Sequence, residues 1–234
     1  QQWALQEKSI GWLAGKQIFD EFFPPESIPD HDSPVAAIID ISFKYHQDLP
    51  RRTYLYNGTN YIVRHQRSNG LYLVEPNLND ENIGGHGNDS LGVMAAATDN
   101  HIGIAGSGFG KIKVLAVDAH YVDEKDQDIN GMETESLIKA IDFIIEQKKK
   151  TNIVAVNMSF VSPSNELTEA IDRLKAHNII VVAAAGNYGK NVSQTAYFPA
   201  AAEPENIVSV AELGRDLKLT PSSNFGGNVS IASP

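Results

Sequence analysis

Five short apolar runs decide what this chain can fold into. They are Val35–Ile39, Ile112–Val117, Ile153–Val156, Ile179–Ala184 and Ile207–Val210. Each is rich in Val and Ile and scarcely alternates with polar residues. Strands covered by helices on both faces read this way, because neither side of the pleat meets water. Helical patterns separate most of the runs. In 134–149, Leu137, Ile138, Ile141, Ile144 and Ile145 fall on one face. In 165–177, Leu167, Ala170, Ile171 and Leu174 do the same, with Asn165 as the N-cap. Ser90 to Ala97 reads as another helix, built of small residues. The order predicts an α/β class: a three-layer fold with a mainly parallel central sheet flanked by helices. Residues 1–34 read as an N-terminal arm, an amphipathic stretch from Trp3 to Phe23 followed by the connector Pro24-Pro25-Glu26-Ser27-Ile28-Pro29. Residues 35–234 read as the domain proper.

Composition removes several functions. The chain has no cysteine, which excludes disulfides, zinc–thiolate sites and thiol nucleophiles. A net charge of -10 argues against nucleic acid as a partner. No apolar run approaches the roughly 20 residues that span a bilayer. The longest, Ile179 to Ala185, has a strand's length.

In parallel α/β sheets, ligands bind at the carboxyl ends of strands. Three groups stand out there. Asp40 closes the first run and caps a turn or holds a partner. His86 opens the small-residue helix between Gly85 and Gly87. Glycines on both sides admit close approach by another chain and suit a base, unless the His only caps a loop. Asn187 follows Ala184-Ala185-Gly186 at the end of the fourth run. Its amide can donate to a developing oxyanion, or it is a turn Asn tolerating positive φ.

Together these residues resemble the subtilisin-like serine proteases, the subtilases. Val35-Ala36-Ala37-Ile38-Ile39-Asp40 resembles the family's strand ending in the catalytic Asp. His46-Gln47-Asp48-Leu49 is similar to its His-Pro-Asp-Leu, and Gly85-His86-Gly87 to the start of His-Gly-Thr-His. Asn100-His101-Ile102-Gly103-Ile104 resembles the loop behind that helix. Asn157-Met158-Ser159-Phe160 is similar to the cleft strand, Ala184-Ala185-Gly186-Asn187 to the oxyanion motif, and Phe198-Pro199-Ala200 to the Tyr-Pro-Ala after it. Gln2-Trp3-Ala4-Leu5 resembles a common mature N-terminus. The order, Asp before His, is the family's own.

The resemblance implies roles. His86 is the general base, Asp40 fixes its tautomer, and Asn187 binds the oxyanion. Ser159, Phe160 and Val161 on one side, and Gly131, Met132 and Glu133 on the other, pair with an extended polypeptide substrate by strand addition. Glu133 and Glu135 near the cleft suggest a taste for basic residues on the acyl side. The chemistry requires no cofactor. Asp48 and Asn100 match positions of a structural calcium site, completed by carbonyls of the 98–104 loop. Family habit implies a secreted or cell-surface protein.

The sequence also departs from the family. Ile41-Ser42 follows Asp40 where Thr/Ser-Gly is usual, and Asp89 stands for the second His of the His motif. Val161 replaces a Gly beside the pocket for the side chain next to the scissile bond, which would narrow that pocket or force a rearrangement. The nucleophile has two placements. In the first, Ser223-Asn224-Phe225-Gly226 and Ile231-Ala232-Ser233-Pro234 match a stretch that precedes the family's Ser. The catalytic domain is then incomplete at its C-terminus, and a second chain or a C-terminal fragment supplies the Ser. In the other, Val229 to Pro234 imitates Gly-Thr-Ser-Met-Ala-Ser-Pro and Ser230 is the nucleophile. The first preserves the spacing from Phe198. The competing function is a catalytically inactive relative that binds peptides or proteins.

Overall fold

A computed structural model describes Gln17 and residues 34–43, 46–49, 62–66, 70–74, 85–108, 112–119, 121–122, 128–129, 132–202 and 205–234. The expected arm lies outside these residues, Gln17 and Pro34 excepted. Eight strands form one sheet. They are β1 (Val35–Asp40), β2 (Ile62–Gln66), β3 (Gly70–Val74), β4 (Lys113–Asp118), β7 (Ile153–Met158), β8 (Ile180–Ala184), β9 (Ile207–Glu212) and β10 (Ile231–Ser233). Between β4 and β7 a two-stranded ribbon pairs β5 (Tyr121–Val122) with β6 (Asp128–Ile129). The sheet order is β10-β9-β8-β7-β1-β4-β2-β3. Every pairing is parallel except β2 with β3.

The five apolar runs are the five strands at the middle of this order. Every residue of β1 and of β4 is buried, which explains their lack of alternation. The helices are α1 (His86–Ala95), α2 (Thr134–Lys148) and α3 (Glu166–Ala176). Leu137, Ile141 and Ile144 of α2 and Leu167, Ile171 and Leu174 of α3 pack with Val35, Ala37 and Ile39 of β1 on one face. Burying each such side chain stabilises by roughly 1.5–3 kcal/mol. On the opposite face, Leu91 and Ala95 of α1 pack with Ile38, Val114 and Ala116. The three expected layers are therefore present.

Two details differ from expectation. Helix α1 begins at His86 rather than Ser90, with Gly85 as its extended N-cap. Asn165 stands at the N-cap of α3 without a side-chain bond. The Glu166 N–H instead donates to Ser164 Oγ at 3.3 Å.

The α1 side of the sheet is unevenly covered. Along β8, Val181 and Ala183 face the helices α2 and α3, so Ile180, Val182 and Ala184 face the other way. Register carries that face through Val210 to Ile231. Ile180 is 49% exposed and Ile231 53%. Among the described residues, nothing covers this part of the sheet.

Candidate active site

The carboxyl ends of β1, β7 and β8 lie side by side and carry the chemistry. Asp40 ends β1, fully buried. Just past it the chain turns through Ser42, which takes φ 61. That is the left-handed region that favours glycine, and Ser42 adopts it here where the sequence resemblance led to an expected Gly. The Gly85 N–H donates to Ser42 O at 3.0 Å and the Gly87 N–H to Ile41 O at 2.8 Å. A Cβ on either glycine would lie 2.5 Å from the 41–42 turn. The two glycines thus let the start of α1 lie against the end of β1. His86, between them, reaches Asp40.

The contact is close on both oxygens. His86 Nδ1 lies 2.8 Å from Asp40 Oδ1 and 2.9 Å from Oδ2. The Ile41 N–H also donates to Oδ1 at 2.8 Å, fixing the carboxylate plane. An ionised carboxylate only accepts, so Nδ1 carries a proton, and in the neutral imidazole that leaves the lone pair on Nε2. The His86 side chain is 57% exposed, while Asp40 is buried. Among the described residues no group hydrogen-bonds Nε2. The imidazole is held from behind and open in front.

Asn187 follows β8, two strands from β1, which is on the order of 10 Å at ordinary strand spacing. It is exposed, and its amide makes no hydrogen bond among the described residues. The positive φ in this turn belongs to Gly186, at 106°, and not to Asn187. Asn187 is thus not serving as a left-handed turn residue. A buried side chain that the sequence reading left without a role holds this turn. Asn224 Oδ1 accepts from the Tyr188 N–H at 3.0 Å and from the Lys190 N–H at 2.9 Å. Its Nδ2 donates to Ala185 O at 2.8 Å, and its backbone N–H to Gly186 O at 2.8 Å. The Ser-Asn-Phe-Gly match marked the position, but the chemistry needed the contact.

Ser159, Phe160 and Val161 continue from β7. The Asn157 Nδ2 donates to Ser159 Oγ at 2.9 Å. Backbone bonds between Ser162 and Phe198, at 2.7 and 2.9 Å, anchor the far end of this segment. Among the described residues, the backbone groups of 159–161 are unpaired, leaving an open edge. Val161 Cγ1 would stand 3.0 Å from a Cβ placed on Gly186. It therefore lies close against Gly186, between the ends of β7 and β8. Across from this segment, Met132 and Glu133 lead into α2 and share a cavity with Phe160 and Val161. Gly131, the remaining expected substrate contact, lies outside the described residues.

Asp48 and Asn100 meet away from this cleft. Asp48 is 3% exposed. Its Oδ1 accepts from Asn100 Nδ2 and its Oδ2 from the Ile104 N–H, both at 2.8 Å. Calcium takes six to eight oxygens. One carboxylate and one amide fall short of that, and loop carbonyls would have to supply the rest. No cluster of three or more acidic or His side chains suited to a metal occurs among the described residues. As arranged, the pair is a hydrogen-bonded brace for the 98–104 loop.

Ser230 is not near the imidazole. Its Oγ accepts from the Ser209 N–H at 3.1 Å, beside the start of the edge strand β10. Four strand spacings separate β10 from β1, on the order of 19 Å. Along the strands Ser230 is level with Ile39, so it is the lateral distance across the sheet that separates it from Asp40.

Comparison with known proteins agrees with this architecture. The profile of the Subtilase family (peptidase S8) matches residues 32–234. Thermitase of Thermoactinomyces vulgaris is 27% identical over 167 residues, covering 70% of this chain and 54% of that protein. The Extracellular basic protease of Dichelobacter nodosus is 27% identical over 154 residues, 64% of this chain and 24% of that protein. A solved protease from Pseudoalteromonas arctica superposes with a TM-score of 0.64 at 23% identity, over 87% of this chain and 63% of its own. The chain spans about half or less of the length of these curated relatives. No helix among the described residues is long and apolar enough to cross a membrane. On the family profile's match over most of its length, the chain belongs to the subtilase family of serine peptidases.

Proposed function

We propose that this chain carries the base and oxyanion portion of a serine endopeptidase acting through an Asp–His–Ser triad. The observation that supports it most is the buried Asp40 carboxylate bonded to His86 Nδ1, with Nε2 left open. In the proposed reaction Nε2 takes the proton of a serine hydroxyl as that oxygen attacks the peptide carbonyl. Asp40 keeps the imidazole in the correct tautomer and stabilises the imidazolium. The carbonyl oxygen becomes an oxyanion and accepts from the Asn187 amide. The imidazolium then returns the proton to the leaving amine. Water repeats the sequence on the acyl-enzyme and restores the serine.

The nucleophile is proposed to come from outside the described residues, from further chain or a separate one. Two observations favour this. Ser230 is engaged at the far edge of the sheet, four strands from β1. The exposed face from Ile180 to Ile231 is an apolar surface that a packed segment would cover. This chain by itself is then inactive. The polypeptide substrate adds a strand to the open edge at 159–161 and faces 131–133. No cofactor takes part in this chemistry, and a structural calcium at Asp48 and Asn100 would serve the 98–104 loop alone. Location outside the cell or at its surface belongs to the same proposal. One relative is by name extracellular. Another, from Bacillus subtilis, is by name intracellular.

The test is hydrolysis of quenched peptides by the complete protein. His86→Ala should lower kcat by about 10⁴-fold or more. Asn187→Ala should lower it by about 10²–10³-fold, a magnitude known from a subtilisin Asn rather than derived from this geometry. The alternative, a peptide-binding relative without catalysis, predicts no turnover in the complete protein and undiminished binding in both variants.

A further inference from the structure

The bare part of the sheet is apolar except at its border. Helix α1 packs over β1 and β4 through Ile38, Val114 and Ala116. Next to β1 lies β7, where Val156 and Met158 face the helices α2 and α3. Ala155 and Asn157 therefore face the α1 side. Asn157 is level with Ile38 of β1 and with Val182 of β8. It stands where the cover of α1 ends and the strip of Val182, Ala184, Val210 and Ile231 begins. Its Nδ2 donates to Ser159 Oγ at 2.9 Å. Its Oδ1 has no donor among the described residues, and the side chain is half-buried.

We propose that Asn157 is a positioning residue: its Oδ1 accepts a hydrogen bond from the segment that carries the nucleophile, and this bond sets where the serine stands. The proposal rests on the peptidase reading of the site and adds a residue to it. Strand β7 lies between β1, which carries Asp40, and β8, which leads to Asn187. A serine that meets His86 Nε2 while its substrate's oxyanion reaches Asn187 stands over the end of β7. A segment running from there across the apolar strip passes over Asn157 and shuts out the water that Oδ1 now meets. Buried polar groups are nearly always paired, and an orphaned one is costly. The segment must therefore bring an N–H or O–H to this point. Val182, Val210 and Ile231 attract any apolar surface, because that attraction has no direction. A hydrogen bond has one, and Asn157 is held on both sides by β1 and β8 and in front by Ser159. It fixes the register that the apolar strip leaves free.

The experiment compares the complete protein with Asn157→Leu and Asn157→Asp. Leucine keeps the branched outline without polar atoms. Aspartate keeps the accepting oxygen and lets the Ser159 hydroxyl donate to it. Turnover of quenched peptides and the rate of labelling by a serine-reactive phosphonate are measured beside Tm. Asn157→Leu should lower kcat and the labelling rate by about tenfold or more with KM little changed, and Asn157→Asp should keep both within about threefold. A merely structural amide predicts another pattern: leucine in place of an unpaired amide on an apolar border raises Tm and leaves kcat unchanged. That pattern, or equal losses in the two variants, overturns the proposal. Should Asn157→Leu fail to fold, Asn157→Ala, which adds no bulk, is judged by the same two patterns. An unsubstituted complete protein that neither turns over nor labels overturns the peptidase reading and this inference with it, whereas an active one indifferent to residue 157 overturns this inference alone.

Discussion

Asn224 is the residue on which the turn at 185–190 depends, and replacing it by Ala gives the sharpest stability prediction. The substitution removes three side-chain hydrogen bonds at a site with no solvent exposure. The Ala185 carbonyl, in a buried residue, is left unsatisfied, which costs about 1–3 kcal/mol. The Tyr188 and Lys190 N–H groups lie in more accessible residues and recover water, so each loses about 1 kcal/mol. The sum is about 3–5 kcal/mol, or on the order of 10 °C in Tm for a domain of this size. Urea unfolding followed by far-UV circular dichroism measures it. Asn228→Ala is the matched control. Asn228 is exposed and bonds weakly, at 3.3 and 3.4 Å, so its loss should stay within about 0.5 kcal/mol. An Asn224→Ala loss below about 1 kcal/mol, or one equal to the control, would refute the reasoning.

Two further outcomes follow from the same contacts. Val161→Gly should open the gap beside Gly186 and raise kcat/KM for peptides with a large residue next to the scissile bond by about tenfold relative to alanine there; an unchanged ratio in the complete protein counts against Val161 as the closing wall. Because hydrogen bonds already brace Asp48, EDTA should lower Tm by less than about 2 °C. A fall of about 10 °C or more, as expected for loss of a tight ion, would show instead that calcium holds the 98–104 loop.

Much of this was legible in the chain because burial writes itself into periodicity. β1 and β4 lie between helices, so Val35–Ile39 and Ile112–Val117 could not alternate. Strands β2 and β3 escaped that reading. In the segment Ile62–Gln66 only Ile62 and Val63 are apolar before Arg64, His65 and Gln66, and no apolar run announces it. The candidate base and its carboxylate were visible as residue types at strand and helix ends. Their mutual contact was not. It joins residues 46 positions apart, and it depends on Gly85 and Gly87 approaching the turn at 41–42. Asn224 was hidden for the same reason. A polar residue between Ser223 and Phe225 reads as a loop, and only the fold brings it under Gly186.

The central claim is that His86, backed by Asp40, activates a serine that the described residues do not contain. Labelling of the complete protein with a serine-reactive phosphonate, followed by peptide mapping, tests it directly. The account predicts one labelled serine outside residues 34–234, with labelling abolished in His86→Ala. Labelling of Ser230, or no labelling of a folded complete protein, would contradict it.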